Sequence, residues 1–274
     1  MKSMAGDDFG STIRGRGERW ARRGMSALLA PIMVVLLAPS FVVIPMSFSK
    51  SLVLSWPPQG FTLAWYAKLL ASDEWVASAE NSFEVALAAT MIALLLGVPA
   101  GLALGLRDWR GKQLVLALAM VPLVVPTIVM AIGMYKVYAT IGLIDFWGLA
   151  VAHAMIGVPF VVVTTMSAAR QMNPLLPLAA RSLGARPFSV FLHVVLPGVA
   201  IGALSGAVFA FVTSWDEVVI ANFLTTPTFQ TIPVQMWSQL TQGVDPTVAA
   251  MATSLFAVTM SLMIASIWLR RGRA

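Results

Sequence analysis

Long apolar runs alternate with short polar stretches along the chain. Six runs of at least 22 residues carry few or no charges: 24–48, 82–106, 114–137, 148–169, 198–222 and 246–269. About 20 helical residues cross the hydrocarbon core of a bilayer. Lipid offers no partner to a free backbone amide, so each run is predicted to be a transmembrane helix. The pattern therefore predicts an all-α integral membrane protein with six transmembrane helices.

Two polar stretches are predicted to lie on the external side. In the segment 49–77, Phe61, Trp65 and Leu69 recur four residues apart, which indicates an amphipathic helix anchored at the membrane interface. The segment 223–245 is too polar and too often interrupted by proline to cross a membrane, and it is a candidate partner surface.

The stretch 171–197 has a different character, because it separates two apolar runs yet holds arginines and no acid. Its second part reads LAARSLGARPFSVFLHVVLP. Asn173 and Pro174 are typical of a helix start, Gly184 of a left-handed helix end, and Pro187 of a second start. The stretch is predicted to form a helix, a glycine turn and a second helix that leads into the fifth span. Such an exposed element suits docking to another protein, although a loop that merely covers helix ends is an alternative.

Composition and charge set the class and the orientation. The 274 residues are 58% apolar and 11% charged, with a mean hydropathy of +0.83, which excludes an ordinary soluble domain. Fifteen of the 18 Lys and Arg residues lie before residue 24, at 107–112, at 170–186 and at 270–273. By the positive-inside rule these regions are cytoplasmic, including the tails 1–23 and 271–274. The net charge of +6 is therefore a topology signal and does not indicate a nucleic-acid partner.

Several kinds of chemistry are absent from the sequence. There is no cysteine, which excludes disulfides, a thiol nucleophile and thiolate metal ligands, and no metal site is predicted. No G-x-x-x-x-G-K-[ST] motif occurs, because Gly111-Lys112 is followed by Gln113 and lacks the upstream glycine. Any ATP hydrolysis is therefore expected on another subunit, and the chain is not predicted to be an enzyme.

Acids inside or at the edge of a span are functional hypotheses by default. Glu84 lies near the outer end of the second span, and Asp216 with Glu217 near the outer end of the fifth. Carboxylates beside aromatic side chains suit an organic cation. The alternative is that the two adjacent acids are hydrated at the interface or contact another subunit. The candidate substrate path comprises Thr213, Trp215, Asp216, Glu217, Glu84 and Tyr135.

The two histidines are further candidate functional residues, and two other classes of protein are alternatives to a docking-dependent transporter. His153, near the outer end of the fourth span, is interpreted as a packed hydrogen-bonding residue, and His193 as part of the docking element. An intramembrane serine protease would need Ser205 and His153 to meet, but Ser205 is expected on the inner side and His153 on the outer. A channel or ion-coupled carrier would move substrate without an ATPase.

The docking stretch also resembles a known family. The pattern A-A-x3-G-x9-V-x-L-P resembles the "EAA" loop in permease subunits of bacterial type I ATP-binding-cassette (ABC) importers, and the likeness extends over residues 78–270 as the permease core. In that family the loop is a coupling helix that sits in a groove of the cytoplasmic ATPase. The family's usual glutamate is replaced by Leu178, which suggests more apolar docking. The resemblance implies coupling roles for Leu178, Ala179, Ala180, Gly184, Ala185, Pro187, Leu196 and Pro197.

The substrate expectation comes from further segments. DEVVIANF, IPVQMW and AHAMIGVPFVVVTT resemble the corresponding parts of putrescine and spermidine permeases. This resemblance implies a multi-pass protein of the bacterial inner membrane that works with a related second permease, two ATPase subunits and a periplasmic binding protein. It implies no cofactor in this chain and ATP with Mg²⁺ on the partner ATPase. Permeases for other amine-containing solutes, such as amino acid derivatives or opines, look similar and remain alternatives.

Overall fold

The structure, a computed structural model, describes residues 41–52, 55–242 and 246–271, with isolated positions between 29 and 38. The regular elements of this part are helices. The predicted tail 1–23, the beginning and several later positions of the predicted first span 24–48, and residues 272–274 lie outside the described residues. Residues 41–46 of that first span are helical.

Eleven α-helices follow in chain order among the described residues. Those before the docking stretch are α1 (Ala64–Ala71), α2 (Asp73–Leu106), α3 (Lys112–Val124), α4 (Thr127–Ile141) and α5 (Phe146–Gln171). The others are α6 (Leu175–Ser182), α7 (Pro187–Val190), α8 (Leu196–Trp215), α9 (Val219–Leu224), α10 (Ile232–Gln242) and α11 (Thr247–Arg271). A π-helical turn at Phe191–Val195 joins α7 to α8.

Three continuous helical stretches among the described residues are long and apolar enough to span a bilayer: Asp73–Leu106, Phe146–Gln171 and Pro187–Trp215. They contain the predicted second and fourth spans and most of the fifth. The predicted last span, 246–269, coincides with α11, whose stretch Thr247–Ser261 is a shorter apolar helix. The structure thus supports an all-helical membrane protein, with three clear spans in the described part.

The predicted third span, 114–137, is wrong as a single helix. It consists of α3 and α4, which meet at an angle of 97°. Proline disfavours helical backbone in the residue before it, and Val125, which precedes Pro126, is extended with φ −73° and ψ 130°. The two helices count as one span only if the bent pair is taken together.

The predicted fifth span, 198–222, is also interrupted. Helix α8 ends at Trp215, and Asp216 leaves helical geometry with φ −105° and ψ 6°. The short helix α9 then begins at Val219. The hydropathy pattern of the sequence did not reveal this break, because apolar residues continue after it, in α9.

Helix α5 lies at the centre of the bundle between two rows of glycines. On α2, a Cβ atom added at Gly97, Gly101 or Gly105 would meet Val161, Thr165 or Ala169 of α5, respectively, within 2.7 Å. On α8, Gly198, Gly202 and Gly206 meet Met172, Ala168 and Thr164 in the opposite order. Glycine spacing of this kind permits close helix packing. The rows set α2 parallel and α8 antiparallel to α5.

This register defines two ends of the molecule. At the basic end, α2 and α5 finish and the docking stretch 171–197 leads into α8. At the acidic end, α2 and α5 begin, α8 finishes, and α1, α9 and α10 pack around them. The predicted interfacial helix is α1, whose Leu69 is buried in a cluster with Trp75 and Trp215. Helix α1 is therefore attached to the bundle as well as amphipathic.

Candidate functional site

The break between α8 and α9 lies at the acidic end and is stabilised by hydrogen bonds from a side chain. Glu217 is 9% exposed. Its Oε1 accepts hydrogen bonds from the amides of Val219 and Ile220, and its Oε2 accepts one from Ala221, each at 3.0 Å. These amides belong to the first turn of α9, where no intrahelical partner exists. The Glu217 carboxylate therefore caps α9.

His153 of α5 completes this arrangement from the neighbouring helix. The imidazole is 1% exposed, and its Nδ1 lies 2.8 Å from Ser214 Oγ. Its Nε2 lies 3.5 Å from Glu217 Oε2, a close polar approach rather than a well-formed hydrogen bond. The prediction that His153 is a packed hydrogen-bonding residue is confirmed.

Ser214, His153 and Glu217 have the composition of a hydrolytic triad, but their burial argues against that chemistry. A nucleophilic serine must present its Oγ to substrate, whereas Ser214 is 5% exposed. It is also absent from the lining of the cavities between α6 and the end of α2, between α5 and α8, and at the start of α2. The carboxylate oxygens of Glu217 also accept hydrogen bonds from the amides of α9 and are therefore not free to orient His153 for catalysis. Ser205, the serine considered from the sequence, lies nine residues earlier on α8, about 13 Å along the helix axis.

The other predicted substrate residues have different settings. Asp216 is exposed, and Thr213 is half-buried one turn earlier. Trp215 is 7% exposed in the apolar cluster with Leu69 and Trp75 and stacks on Phe211, so its ring is packed inside the bundle.

Tyr135 and Glu84 lie on other helices. Tyr135 of α4 makes an edge contact with Phe223 of α9 at 6.4 Å between ring centroids, so the structure brings this ring near the break. Glu84 is exposed on α2.

A polar cavity of about 540 Å³ lies at the acidic end and was not predicted from the sequence. It lies between the start of α2 and the start of α10. Glu74 Oε2 accepts a hydrogen bond of 3.3 Å from Gln235 Nε2 across it. Asp73 and Glu74 lie in the first turn of α2, where acids interact favourably with the helix dipole. Acids at this position therefore indicate a helix start and do not by themselves predict a cavity. Among the described residues, no group of three or more His, Asp or Glu side chains is arranged to hold a metal ion.

The stretch 171–197 forms a second candidate site at the basic end. Asn173 Oδ1 accepts a hydrogen bond of 2.9 Å from the Leu175 amide at the start of α6. Gly184, with φ +85°, follows α6, and α7 begins at Pro187. The backbone of this stretch thus contains α6, a left-handed residue at Gly184 and the four-residue helix α7.

The residues of this stretch divide into an outer and an inner set. Leu178 is 57% and Leu183 88% exposed, and Ala179 and Pro187 are also exposed. Ala180 and Ala185 pack against a buried cluster of Leu102, Ala169, Val190, Val195 and Val199. The inner set fixes the element on the bundle and leaves the outer set available.

An apolar cavity of about 540 Å³ lies beneath this element, between α6 and the end of α2. Leu178 and Arg181 line it from α6. The adjacent loop holds Asp108, whose carboxylate accepts a hydrogen bond of 2.8 Å from Lys112 Nζ. This bond lowers the pKa of Asp108.

Comparison with known proteins agrees with this architecture. Residues 97–273 match the family described as "Binding-protein-dependent transport system inner membrane component". The spermidine/putrescine transport system permease protein PotC of Escherichia coli (strain K12) is 32% identical over 240 residues, covering 87% of this chain and 90% of PotC. The putrescine transport system permease protein PotI of the same organism is 29% identical, covering 81% and 84%.

A solved structure has the same fold. It contains a bacterial alginate ABC transporter in complex with an alginate pentasaccharide-bound periplasmic protein. One of its chains aligns with a TM-score of 0.64 at 16% identity, covering 92% of this chain and 94% of that one. At this identity the likeness concerns the fold alone.

Proposed function

Since the chain belongs to the family of binding-protein-dependent transport system inner membrane components, we propose that it is the permease subunit of an ATP-driven importer for polyamines or a similar small organic cation. The observation that carries the substrate class is the 32% identity with a spermidine/putrescine permease over 87% of the chain. The exposed Asp216 at the acidic end supports it chemically, because a carboxylate attracts an ammonium group.

The basic end is the proposed docking surface for the ATPase. The charge distribution assigns this end to the cytoplasm, where ATP and Mg²⁺ would bind to the partner. The outer set offers apolar side chains, above all Leu178 and Leu183, and the exposed Arg181 and Arg186 lie beside them in the chain. Contact through Leu178 would be apolar where relatives of this family use a glutamate.

The acidic end is the proposed external mouth. It faces the periplasm in this orientation, so a substrate-binding protein would deliver its cargo here. Asp216, Thr213 and Tyr135 are the residues whose exposure suits contact with the cargo. A second related permease would supply the opposite wall of the path. The proposed setting is the bacterial inner membrane, with both termini in the cytoplasm.

Uptake of radiolabelled putrescine tests this proposal. The chain is reconstituted in proteoliposomes with its ATPase, its partner permease and its binding protein. Uptake that needs internal ATP supports the importer, and an Asp216→Asn variant is expected to raise the apparent KM at least tenfold with assembly unchanged. Putrescine flux in vesicles that lack the ATPase would instead indicate a channel or an ion-coupled carrier.

The same preparation distinguishes the alternative substrates. Excess unlabelled spermidine, an opine or a basic amino acid is added with the labelled putrescine. Competition by spermidine at lower concentration than by the other amines supports a polyamine importer. Stronger competition by an opine or an amino acid would instead indicate an importer for that class of solute.

A further inference from the structure

We propose that Glu217, held by His153 and Ser214, is a positioning residue that presents Asp216 to the substrate, so that the two adjacent acids have separate tasks. Asp216 contacts the cation, and Glu217 fixes the backbone that carries Asp216. This inference rests on the proposed function for the identity of the cargo, but its geometry does not depend on that identity.

The first step concerns the acceptor capacity of Glu217. An ionised carboxylate has about four acceptor positions. Three of them receive the amides of Val219, Ile220 and Ala221, and the remaining side of Oε2 faces His153 Nε2. With 9% of Glu217 exposed, no acceptor position is left for an ammonium group of the cargo.

The second step concerns the two neighbours of the His153 imidazole. The carboxylate only accepts hydrogen bonds, and Nε2 of His153 approaches its Oε2 at 3.5 Å. On the other side of the ring, Nδ1 shares a hydrogen bond of 2.8 Å with the Ser214 hydroxyl. The imidazole therefore lies between the two groups and contacts both. It links α5, the end of α8 and the start of α9 through one buried chain of contacts.

The third step concerns the backbone of Asp216. Its amide donates the last helical hydrogen bond of α8, to Val212 O at 3.2 Å. Directly after it, the Glu217 side chain caps α9. Asp216 is therefore clamped between the end of one helix and the start of the next, while its own side chain is exposed. Loss of the Glu217 cap would release the backbone on one side of Asp216.

A double-mutant cycle on uptake tests the separate tasks. Apparent KM and maximal rate for putrescine are measured for the intact transporter, Asp216→Asn, Glu217→Gln and the double variant, each with the same change from carboxylate to amide. If Glu217 acts through Asp216, both single variants raise KM, and the double variant has about the KM of Asp216→Asn. Two independent contacts with the cation would instead multiply the two losses and overturn the inference.

A thiol-labelling experiment gives a readout that does not need transport. The chain has no cysteine, so Asp216→Cys creates one thiol. In assembled transporter, a membrane-impermeant maleimide is expected to label this thiol readily, and Glu217→Gln added to Asp216→Cys is expected to change the rate at least fivefold. An unchanged rate would overturn the positioning role. Should Glu217→Gln impair assembly, Ser214→Ala replaces it, because it removes the more distant member of the network.

The two experiments separate this inference from the proposed function. A changed labelling rate without any effect of Asp216→Asn on amine uptake would retain the positioning role and refute the cation site. A raised KM in Asp216→Asn with multiplied losses in the double variant would retain the cation site and refute the positioning role.

Discussion

The chain breaks its helices in two contrasting ways at its two ends. At the basic end the break is a backbone conformation: Gly184 has φ +85°, and a Cβ atom there would meet nothing within 4 Å. At the acidic end the break is a buried side-chain network, in which Glu217 caps α9 and approaches His153. One break depends on the absence of a side chain, and the other depends on a particular side chain.

The contrast has a physical reason. A surface that meets a separate protein must leave its side chains available, so a turn made by backbone alone suits it. A break inside a bundle exposes amides to a poor solvent, so they need an internal partner. Substitutions at the two breaks should therefore have different effects. At the acidic end they should lower the stability of the permease, and at the basic end they should weaken its association with the ATPase.

The largest loss of stability is expected for Glu217→Ala. It leaves three amides of α9 and the His153 imidazole without their carboxylate, and unsatisfied buried groups of this kind cost roughly 3 kcal/mol or more together. Thermal unfolding of the purified permease in detergent should show a clearly lower midpoint. Glu84→Ala, which removes an exposed carboxylate from α2, is the matched control and should change stability by less than about 0.5 kcal/mol. Equal midpoints for the two variants would contradict the contrast.

A smaller loss of stability, with a large loss of coupling, is expected for Gly184→Val. A β-branched residue at positive φ costs about 1–2 kcal/mol, and the turn can relax because nothing surrounds it. ATP-driven putrescine uptake should nevertheless fall by at least tenfold, since the altered turn displaces α6 from α7. Gly133→Val is the control, because Gly133 of α4 also has open space around it but no positive φ. Full uptake by the Gly184→Val variant would contradict the proposal that the stretch 171–197 docks to the ATPase.

The smallest effect on stability is expected for Leu178→Glu, which introduces the acid that the resemblance to the EAA loop leads one to expect at this position. Leu178 is 57% exposed, so the unfolding free energy should change by less than about 0.5 kcal/mol. Affinity for its own ATPase should fall several-fold, because a charge replaces an apolar contact. Co-purification at rising salt measures this, with Leu70→Glu as a control on the exposed face of α1 at the other end. Tighter association of Leu178→Glu would show that the ATPase still offers a cation to this position.

Much of the docking element was accessible from the sequence, because its signals are local. Asn173, Gly184 and Pro187 each act on the backbone within one turn. In the structure Asn173 accepts a hydrogen bond from the Leu175 amide, Gly184 has a positive φ and α7 begins at Pro187. The bend in the third predicted span also has a local signal, at Pro126, but proline is frequent in membrane helices, so its presence alone does not predict a bend. The angle is 97°, and beyond the bend α4 packs against α9, a contact between helices that are distant in the chain.

The site at the acidic end was only partly accessible. The sequence indicated Asp216 and Glu217 as candidate acids but did not distinguish their roles, since neighbouring residues carry the same charge. Their separation depends on His153 and Ser214, which are 61 positions apart and meet only because α5 and α8 are antiparallel. The glycine rows that set this register were visible in the sequence, but their partners on α5 were not.

The sequence alone determined the class of the protein, the polar and apolar segments and the local turns, because hydrophobic transfer and backbone preferences act residue by residue. The tertiary structure decided which acid is buried and capped, which acid reaches the surface, and where apparent spans bend. These outcomes depend on contacts between helices that are distant in the chain, and on the need of every buried amide for a hydrogen-bond partner.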